Sequence, residues 1–212
     1  MRFGIFIYDG VEPIDLATFG VLSMARRVAP EIEIVTIAPT AGEVTLANGL
    51  VAMAPFDTVT APPLDALIVT GGPGWKDHYT HEPTLGYLRH CADSHLVVSV
   101  CTGAMILAAS GVLAGYPATT KREVIPGLET PPIDVLRADH PDIRATEARL
   151  VDAGNLITGG GVSLCIDTTL HVLKRMLGDR VARETARIIE YSSALQANEA
   201  RLPAVTGGGN HS

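Results

Sequence analysis

The sequence predicts an α/β fold, in which a mostly parallel sheet is covered by helices on both faces. Short apolar runs alternate with amphipathic stretches, the order expected of strand, helix, strand units. The apolar runs are nearly continuous rather than alternating, which is typical of strands buried on both faces. The chain has 212 residues, 47% of them hydrophobic, enough for one continuous core.

Five apolar runs are predicted to be the strands. In chain order they are RFGIFIY, EIEIVTIA, DALIVT, LVVSV and NLITGG. The stretch from Thr45 to Pro55 contains an Asn48-Gly49 pair, which favours tight hairpin turns. We therefore expect a small hairpin between the second and third strands.

Six segments show helical periodicity, and with the strands they predict a single domain over residues 1–192. The segments are Ile14 to Val28, Thr84 to Asp93, Thr102 to Ser110, Ile133 to Arg137, Val162 to Leu177 and Asp179 to Tyr191. Residues 193–212 are predicted to be a partly disordered tail that frays at LPAVTGGGNHS. We expect no helix-turn-helix domain after residue 191.

Composition argues against several classes of function. The net charge is −7 and no run of Lys or Arg occurs, so no nucleic-acid surface is expected. No stretch holds the about 18 uncharged apolar residues of a membrane span, and MRFGIFIYDG lacks the pattern of a secretory signal. The three cysteines are sparse and lack C-x-x-C spacing, which predicts neither disulfides nor a metal site. We expect a cytoplasmic protein that binds a small molecule.

Cys101 is the first candidate functional residue, because it directly follows LVVSV and precedes Thr102-Gly103. Strand, nucleophile, one residue, glycine and helix is the pattern of a nucleophile elbow. Unpaired N–H groups at the helix start would favour the thiolate and lower the pKa of the thiol. The alternative is a small buried core residue. Cys91 and Cys165 lie inside helical patterns and are predicted to be core residues.

The loop TGGPGW follows DALIV at a strand end, where ligands bind in open α/β sheets. Its glycines either permit positive φ in a turn or bring the backbone of Gly72 or Pro73-Gly74 close to a ligand. In the second case an N–H there would join the Thr102 N–H in an anion hole. The loop lacks G-x-G-x-x-G, so no nicotinamide or flavin cofactor is expected.

Asp15 lies in YDGVEPIDLATFG after the first strand, near the start of the next helix. It is either an acid that favours the helix N-terminus or a proton carrier for Cys101, its pKa raised by burial and like charge. Among the histidines, only His78 and His81 lie in a strand-end loop, and we do not expect a catalytic histidine.

These motifs resemble the ThiJ/PfpI superfamily of class I glutamine-amidotransferase-like proteins, in the branch of isonitrile hydratases and AraC-type ligand domains. The resemblance runs from GIFIYDGVEPIDLATFGVL through DALIVTGGPG and VVSVCTGAMILAASGVLAGYPATT to GNLITGGGVSLCIDTTLHVL. It implies a flavodoxin-like three-layer sandwich and a homodimer. It also implies that Cys101 is the nucleophile, Asp15 its acid partner and Thr102 the residue beside it. The backbones of Gly72 and Gly160 would lie near the thiol.

The chain departs from this branch at two places. Thr-Thr-His-Trp after the elbow helix is replaced by Thr119-Thr120-Lys121-Arg122, and the Gly-Pro after Asp-Leu by Ala17-Thr18-Phe19. The first departure changes the charge expected at the pocket rim.

The resemblance implies hydration of an isonitrile to an N-substituted formamide through a thioimidate, without metal or organic cofactor. Cys101 would attack the terminal carbon and protonated Asp15 would donate to it, with adduct contacts from the N–H groups of Gly72 and Thr102. Ile14, Phe19 and Trp75 are candidate lining residues. Two alternatives stay open: a glyoxalase-like or amidase-like enzyme using the same thiol, and a non-catalytic ligand-binding or redox-sensing protein.

Overall fold

The computed structural model describes residues 1–207. Its strands are β1 (Arg2–Phe6), β2 (Glu33–Ala38), β3 (Gly42–Thr45), β4 (Val51–Ala54), β5 (Phe56–Asp57), β6 (Ala66–Val69), β7 (Leu96–Ser99), β8 (Pro117–Ala118), β9 (Arg144–Ala145), β10 (Leu150–Asp152), β11 (Leu156–Gly159) and β12 (Ala204–Thr206). Its helices are α1 (Ala17–Ala25), α2 (Trp75–His78), α3 (Glu82–Ser94), α4 (Gly103–Ser110), α5 (Pro132–Asp139), α6 (Leu164–Leu177), α7 (Asp179–Ile188) and α8 (Ser192–Arg201).

The central sheet has eight strands in the order β12-β10-β11-β7-β6-β1-β2-β5. Every neighbouring pair is parallel except β10 and β11. Every residue of β6, β7 and β11 is buried, as expected of strands covered on both faces. The predicted α/β sandwich is confirmed, with all five predicted strands in the sheet.

Two groups of helices cover the sheet. Helices α1, α6 and α7 pack on one another, and α8 packs on α7, whereas α4 packs on α2, α3 and α5. The predicted helix from Ile14 is divided, because Pro13–Leu16 forms a separate 3-10 turn before α1. Proline fits the first positions of a helical turn, where its missing N–H is not needed.

The carboxyl ends of β1, β6 and β7 lie side by side. Phe6 pairs with Val69, and Val69 pairs with Ser99 in the adjacent strand. The loops that follow these three strands therefore meet at one edge of the sheet. They are the loops that contain Asp15, Gly72 and Cys101.

The predicted hairpin is confirmed, although it begins at Gly42 rather than Thr45. Strands β3 and β4 pair antiparallel, with Thr45 opposite Val51. Asn48 and Gly49 take φ values of 62° and 88° in the connecting turn. Both residue types adopt this left-handed region more readily than others.

The C-terminal segment corrects the predicted tail. Residues Ser192–Arg201 form α8, and β12 pairs in parallel with β10, with Leu150 opposite Ala204. Helix α8 was missed because none of its residues is buried, so it shows no apolar stripe. The AVT part of the predicted frayed end, Ala204–Thr206, thus belongs to the sheet, whereas residues 208–212 lie outside the described residues.

Asp167 on α6 connects this C-terminal segment to the core. Its fully buried carboxylate accepts hydrogen bonds from Arg149 Nη1 at 3.2 Å, Tyr191 Oη at 2.8 Å and Asn198 Nδ2 at 3.1 Å. A buried charge is stable only when it is paired and hydrogen-bonded, and here its partners come from three separate parts of the chain.

Asp167→Ala should lower the free energy of unfolding by about 3 kcal/mol, because it leaves the buried Arg149 guanidinium without its main partner. Glu184→Ala, which removes an exposed ion pair with Arg187, should change it by less than about 1 kcal/mol. Urea unfolding followed by circular dichroism measures both. Equal effects of the two substitutions would contradict the role given to Asp167.

Candidate active site

Cys101 lies on a sharp turn between β7 and α4. Its φ is 53°, in the left-handed region that non-glycine residues rarely adopt. Gly103 permits the close approach of helix and sheet, since a Cβ there would lie 2.3 Å from the carbonyl oxygen of Val69. The predicted nucleophile elbow is present, and Cys101 is only 2% exposed.

Asp15 lies in the 3-10 turn after β1 and is fully buried. Its Oδ2 accepts a hydrogen bond of 2.7 Å from the Gly71 N–H, and the Cys101 thiol interacts with the same carboxyl group. Burial raises the pKa of Asp15 to about 7; the Gly71 hydrogen bond lowers this pKa in part, the Glu12 charge raises it further, and the Cys101 thiol lowers it slightly. Asp15 can therefore both accept and donate a proton near neutral pH.

Burial also raises the pKa of the Cys101 thiol well above its ordinary value, and the Asp15 charge raises it further. The Thr102 N–H and the Lys121 charge lower it by less. The predicted lowering of this pKa is therefore wrong, because desolvation of the sulfur outweighs the helix start. The resting residue is a thiol, and its proton must be removed before attack.

The predicted anion hole is only partly available. The Gly72 N–H donates to Thr102 Oγ1 at 2.8 Å, and the Gly74 N–H donates to the Gly10 carbonyl at 3.2 Å. Neither is free to bind an adduct oxygen, so both glycines are corrected from donors to structural positions. Gly72 still lines the cavity described below. The Thr102 N–H lies at the elbow, where it lowers the pKa of the Cys101 thiol.

Gly71 is a functional position that sequence reasoning missed. A Cβ on Gly71 would lie 2.4 Å from the Thr102 N and 2.9 Å from Cys101 Cβ. Because those atoms belong to the elbow itself, no side chain fits here. The paired glycines of TGGPG were the available signal, but they did not show which glycine faces the thiol.

The glycine block at the end of β11 contacts the elbow through two residues. The Gly160 carbonyl accepts the Cys101 N–H at 3.2 Å, so Gly160 supports the nucleophile's backbone rather than a substrate. Gly161 faces the sulfur, since a Cβ there would lie 3.1 Å from Cys101 Sγ. The predicted proximity of this block to the thiol is present, with Gly161 in the position given to Gly160.

A cavity of about 730 Å³ opens above Cys101 and Thr102. Ile14 and Trp75 line it as predicted. Phe19 does not line it, because its side chain lies on α1 and is 42% exposed. Lys121, expected at the pocket rim, also lines it. Further lining residues come from the segment that follows and were missed: Val124, Leu128, Glu129, Thr130, Pro132 and Val135.

Histidines and metals do not enter this site. The His78 and His81 Nδ1 atoms lie 3.1 Å and 2.8 Å from Thr84 Oγ1, and no histidine among residues 1–207 lines the cavity. Within those residues, no group of three or more His, Cys, Asp or Glu side chains is arranged to hold a metal. No helix of the described chain is long and apolar enough to cross a bilayer.

The other two cysteines are free and buried, as the helical pattern predicts. Cys91 lies on the core side of α3, and Cys165 lies on α6 with its sulfur 3.6 Å from the Ile14 carbonyl oxygen. Both belong to the main hydrophobic core.

A buried cysteine elbow beside a carboxyl group, on a flavodoxin-like sheet, defines a class of cysteine-nucleophile α/β proteins. The chain belongs to the DJ-1/PfpI family, whose model matches residues 1–175. The resemblance inferred from the sequence is thereby confirmed.

Several relatives refine this assignment. Isonitrile hydratase from Pseudomonas putida is 29% identical over 199 residues, which cover 92% of this chain and 80% of that protein. A ThiJ/PfpI family crystal structure from Pseudomonas syringae superposes with a TM-score of 0.78 at 26% identity, covering 90% of this chain and 75% of that one. Drosophila melanogaster DJ-1beta gives a TM-score of 0.74 at 16% identity, covering 90% and 98%.

The strain of the elbow can be measured by comparing two truncations. Cys101→Gly should have a free energy of unfolding about 1 kcal/mol higher than Cys101→Ala, because only glycine adopts positive φ without steric cost. Ala108→Gly, inside α4, should instead lower the free energy of unfolding by about 1 kcal/mol, because glycine is the poorer helix former there. Urea unfolding of the four proteins tests both signs. A lower value for Cys101→Gly than for Cys101→Ala would contradict a strained elbow.

Proposed function

We propose that this protein catalyses the cysteine-dependent hydration of isonitriles to N-substituted formamides, as a hydro-lyase without metal or organic cofactor. The observation that carries the proposal is the buried Cys101 thiol under a mostly apolar cavity, beside a buried Asp15 carboxyl group whose charge acts on that thiol. The relative named isonitrile hydratase, aligned over most of the chain, supports the same activity.

In the first step the pair transfers one proton to the substrate. The Asp15 carboxylate removes the proton of the Cys101 thiol as the sulfur bonds to the terminal carbon of R–N≡C. Asp15 then delivers that proton to the same carbon, which gives the thioimidate R–N=CH–S–Cys. The sequence predicts a Cys101 thiolate and a protonated Asp15 before attack. Here the proton starts on sulfur instead, because the pKa of the Cys101 thiol is raised well above that of Asp15.

In the second step the Asp15 carboxylate acts as a base toward water. The water oxygen bonds to the thioimidate carbon, one water proton reaches nitrogen by way of Asp15, and R–NH–CH(OH)–S–Cys forms. The C–S bond then breaks, the hydroxyl proton returns to sulfur, and R–NH–CHO leaves. The sum of the two steps is the addition of one water molecule to the isonitrile.

The donors around the sulfur support an isonitrile over a carbonyl substrate. Attack on an aldehyde or amide places negative charge on oxygen, which requires free N–H donors. The Gly71 N–H already donates to Asp15, and the Gly72 N–H donates to Thr102. Isonitrile addition needs no such donor, because the new C–H bond takes up the charge. A glyoxalase-like or amidase-like activity is therefore less well supported.

Burial of Cys101 also argues against a peroxide sensor. Oxidation to a sulfenic acid requires thiolate character and access to solvent. Cys101 is 2% exposed and its pKa is raised. The homodimer and the cytoplasmic location inferred from the sequence stay predictions.

The purified protein should convert cyclohexyl isonitrile to N-cyclohexylformamide, as followed by the formyl proton in NMR. Cys101→Ala and Cys101→Ser should each lower kcat/KM by at least about 10³-fold, because the nucleophile is removed. Cys91→Ala, which truncates a buried cysteine away from the cavity, should retain turnover. Absence of formamide, or turnover that survives Cys101→Ala, would contradict the proposal.

The rate should depend on pH through Asp15. kcat/KM should rise through about pH 7 and then level, because the Asp15 pKa is raised to about 7 and the carboxylate must accept the thiol proton. Asp15→Asn should lower the rate by about 10² to 10⁴-fold and abolish this rise. Glu12→Gln should shift the inflection to lower pH, since the Glu12 charge raises the Asp15 pKa. A rise with pH that survives Asp15→Asn would exclude Asp15 as its origin.

A further inference from the structure

The distribution of lysine in this chain is uneven. The sequence contains three lysines and has a net charge of −7. Two of them, Lys76 and Lys121, line the cavity above Cys101, whereas Lys174 lies 3.5 Å from Asp179 on the outer surface. Neither cavity lysine forms an ion pair with any side chain of residues 1–207. The cavity therefore holds two cationic groups without a direct counterion.

Lys121 is the cation beside the reactive sulfur. A methyl group placed on Gly161 would lie 2.8 Å from Lys121 Cβ and 3.1 Å from Cys101 Sγ, so it would contact both side chains. The Lys121 Nζ donates one hydrogen bond to the Glu123 carbonyl, which leaves two N–H groups for a ligand. Its charge also acts on the Cys101 thiol, whose pKa it lowers.

Two carboxylates, those of Glu12 and Glu129, line the same cavity and could in principle pair with its lysines. Glu12 lies near Asp15, whose pKa it raises, and Glu129 accepts the backbone N–H of Ile125 at 3.4 Å within its own loop. Neither lies within 4.0 Å of the amino group of Lys76 or Lys121, the distance that defines an ion pair. The remaining lining is largely apolar, so a negative group on a ligand finds its complement at a lysine. Lys76 is exposed, whereas Lys121 is half-buried and its charge acts on the Cys101 thiol.

We propose that Lys121 forms an anion subsite and that the substrate is an isonitrile carrying a carboxylate a few bonds from its terminal carbon. The isonitrile group of this substrate rests on the proposed function. Its carboxylate rests on the position of Lys121 in the cavity. In the bound state the Lys121 ammonium pairs with the carboxylate while Cys101 attacks the isocyano carbon. Lys121 is thus a specificity-determining residue rather than a nucleophile or proton carrier.

The subsite can be tested without any assumption about turnover. Iodoacetate and iodoacetamide alkylate the same thiol. They differ chiefly in charge, because the first carries a carboxylate where the second carries a neutral amide. A change in the thiol pKa affects both reagents equally, so the ratio of their rate constants at Cys101 reports the local attraction for an anion. Tandem mass spectrometry locates the label on Cys101 rather than on the other two cysteines.

Lys121→Met should lower the iodoacetate to iodoacetamide ratio by about tenfold, because it removes a positive charge from the cavity that contains Cys101. Lys121→Arg should keep the ratio within about twofold of the natural protein, since the charge is retained. Lys174→Met, which removes a lysine outside the cavity, should leave it unchanged. An unchanged ratio in Lys121→Met, or an equal fall in Lys174→Met, would overturn the subsite.

Hydration of isocyanoacetate and isocyanoacetamide then tests the substrate class. Lys121→Met should raise KM for isocyanoacetate by about tenfold and leave KM for the neutral amide within about twofold. An equal change for both substrates would overturn the specificity role. If the natural protein hydrates cyclohexyl isonitrile but neither of these compounds, the proposed substrate class is wrong. If it hydrates none of the three, the proposed function fails, whereas the alkylation ratio still decides whether Lys121 binds an anion.

Discussion

The hydrogen bond from the Gly71 N–H to Asp15 Oδ2, 2.7 Å long, is the contact on which the site depends. It joins the loop after β1 to the loop after β6 and holds the carboxyl group at the Cys101 elbow. The contact requires glycine at residue 71, because the Thr102 backbone occupies the space of a side chain. The Gly72 N–H to Thr102 Oγ1 bond then joins the β6 loop to the elbow. Three adjacent strand ends are thereby fixed relative to one another.

Burial determines which chemistry this arrangement supports. The helix start favours a thiolate at Cys101, but removal of water from both the thiol and the carboxyl group favours their neutral forms more strongly. A thiol and a carboxyl group that are both difficult to ionise share one proton most readily with each other. Such a pair suits a reaction that moves one proton between sulfur, carbon and nitrogen. It suits poorly a reaction that creates an oxyanion.

Much of the fold and of the elbow could be predicted from the sequence, because both depend on local patterns. Apolar runs identify the strands, and a cysteine followed by Thr102-Gly103 identifies the elbow. The cavity walls were harder to predict, because only tertiary packing places side chains of residues 121–135 at the cavity and Phe19 away from it. The pKa of Cys101 was predicted in the wrong direction, because local sequence shows the helix start but does not show burial.

The elbow depends on local backbone geometry, whereas the cavity walls depend on tertiary packing. For this reason the family assignment identifies the nucleophile better than it identifies the substrate. Backbone geometry fixes the elbow: the positive φ of Cys101 and the glycines around it leave little freedom to vary. Side chains of one segment, from Lys121 to Val135, form another wall of the cavity, and Lys121 is the residue of that wall that lies against Gly161. A change of charge on that wall alters the pKa of the Cys101 thiol through Lys121, but it leaves the backbone of the elbow in place. Lys121, at the place where the sequence departs from the branch that it resembles, adds a positive charge to this wall while the attacking atom stays on the elbow.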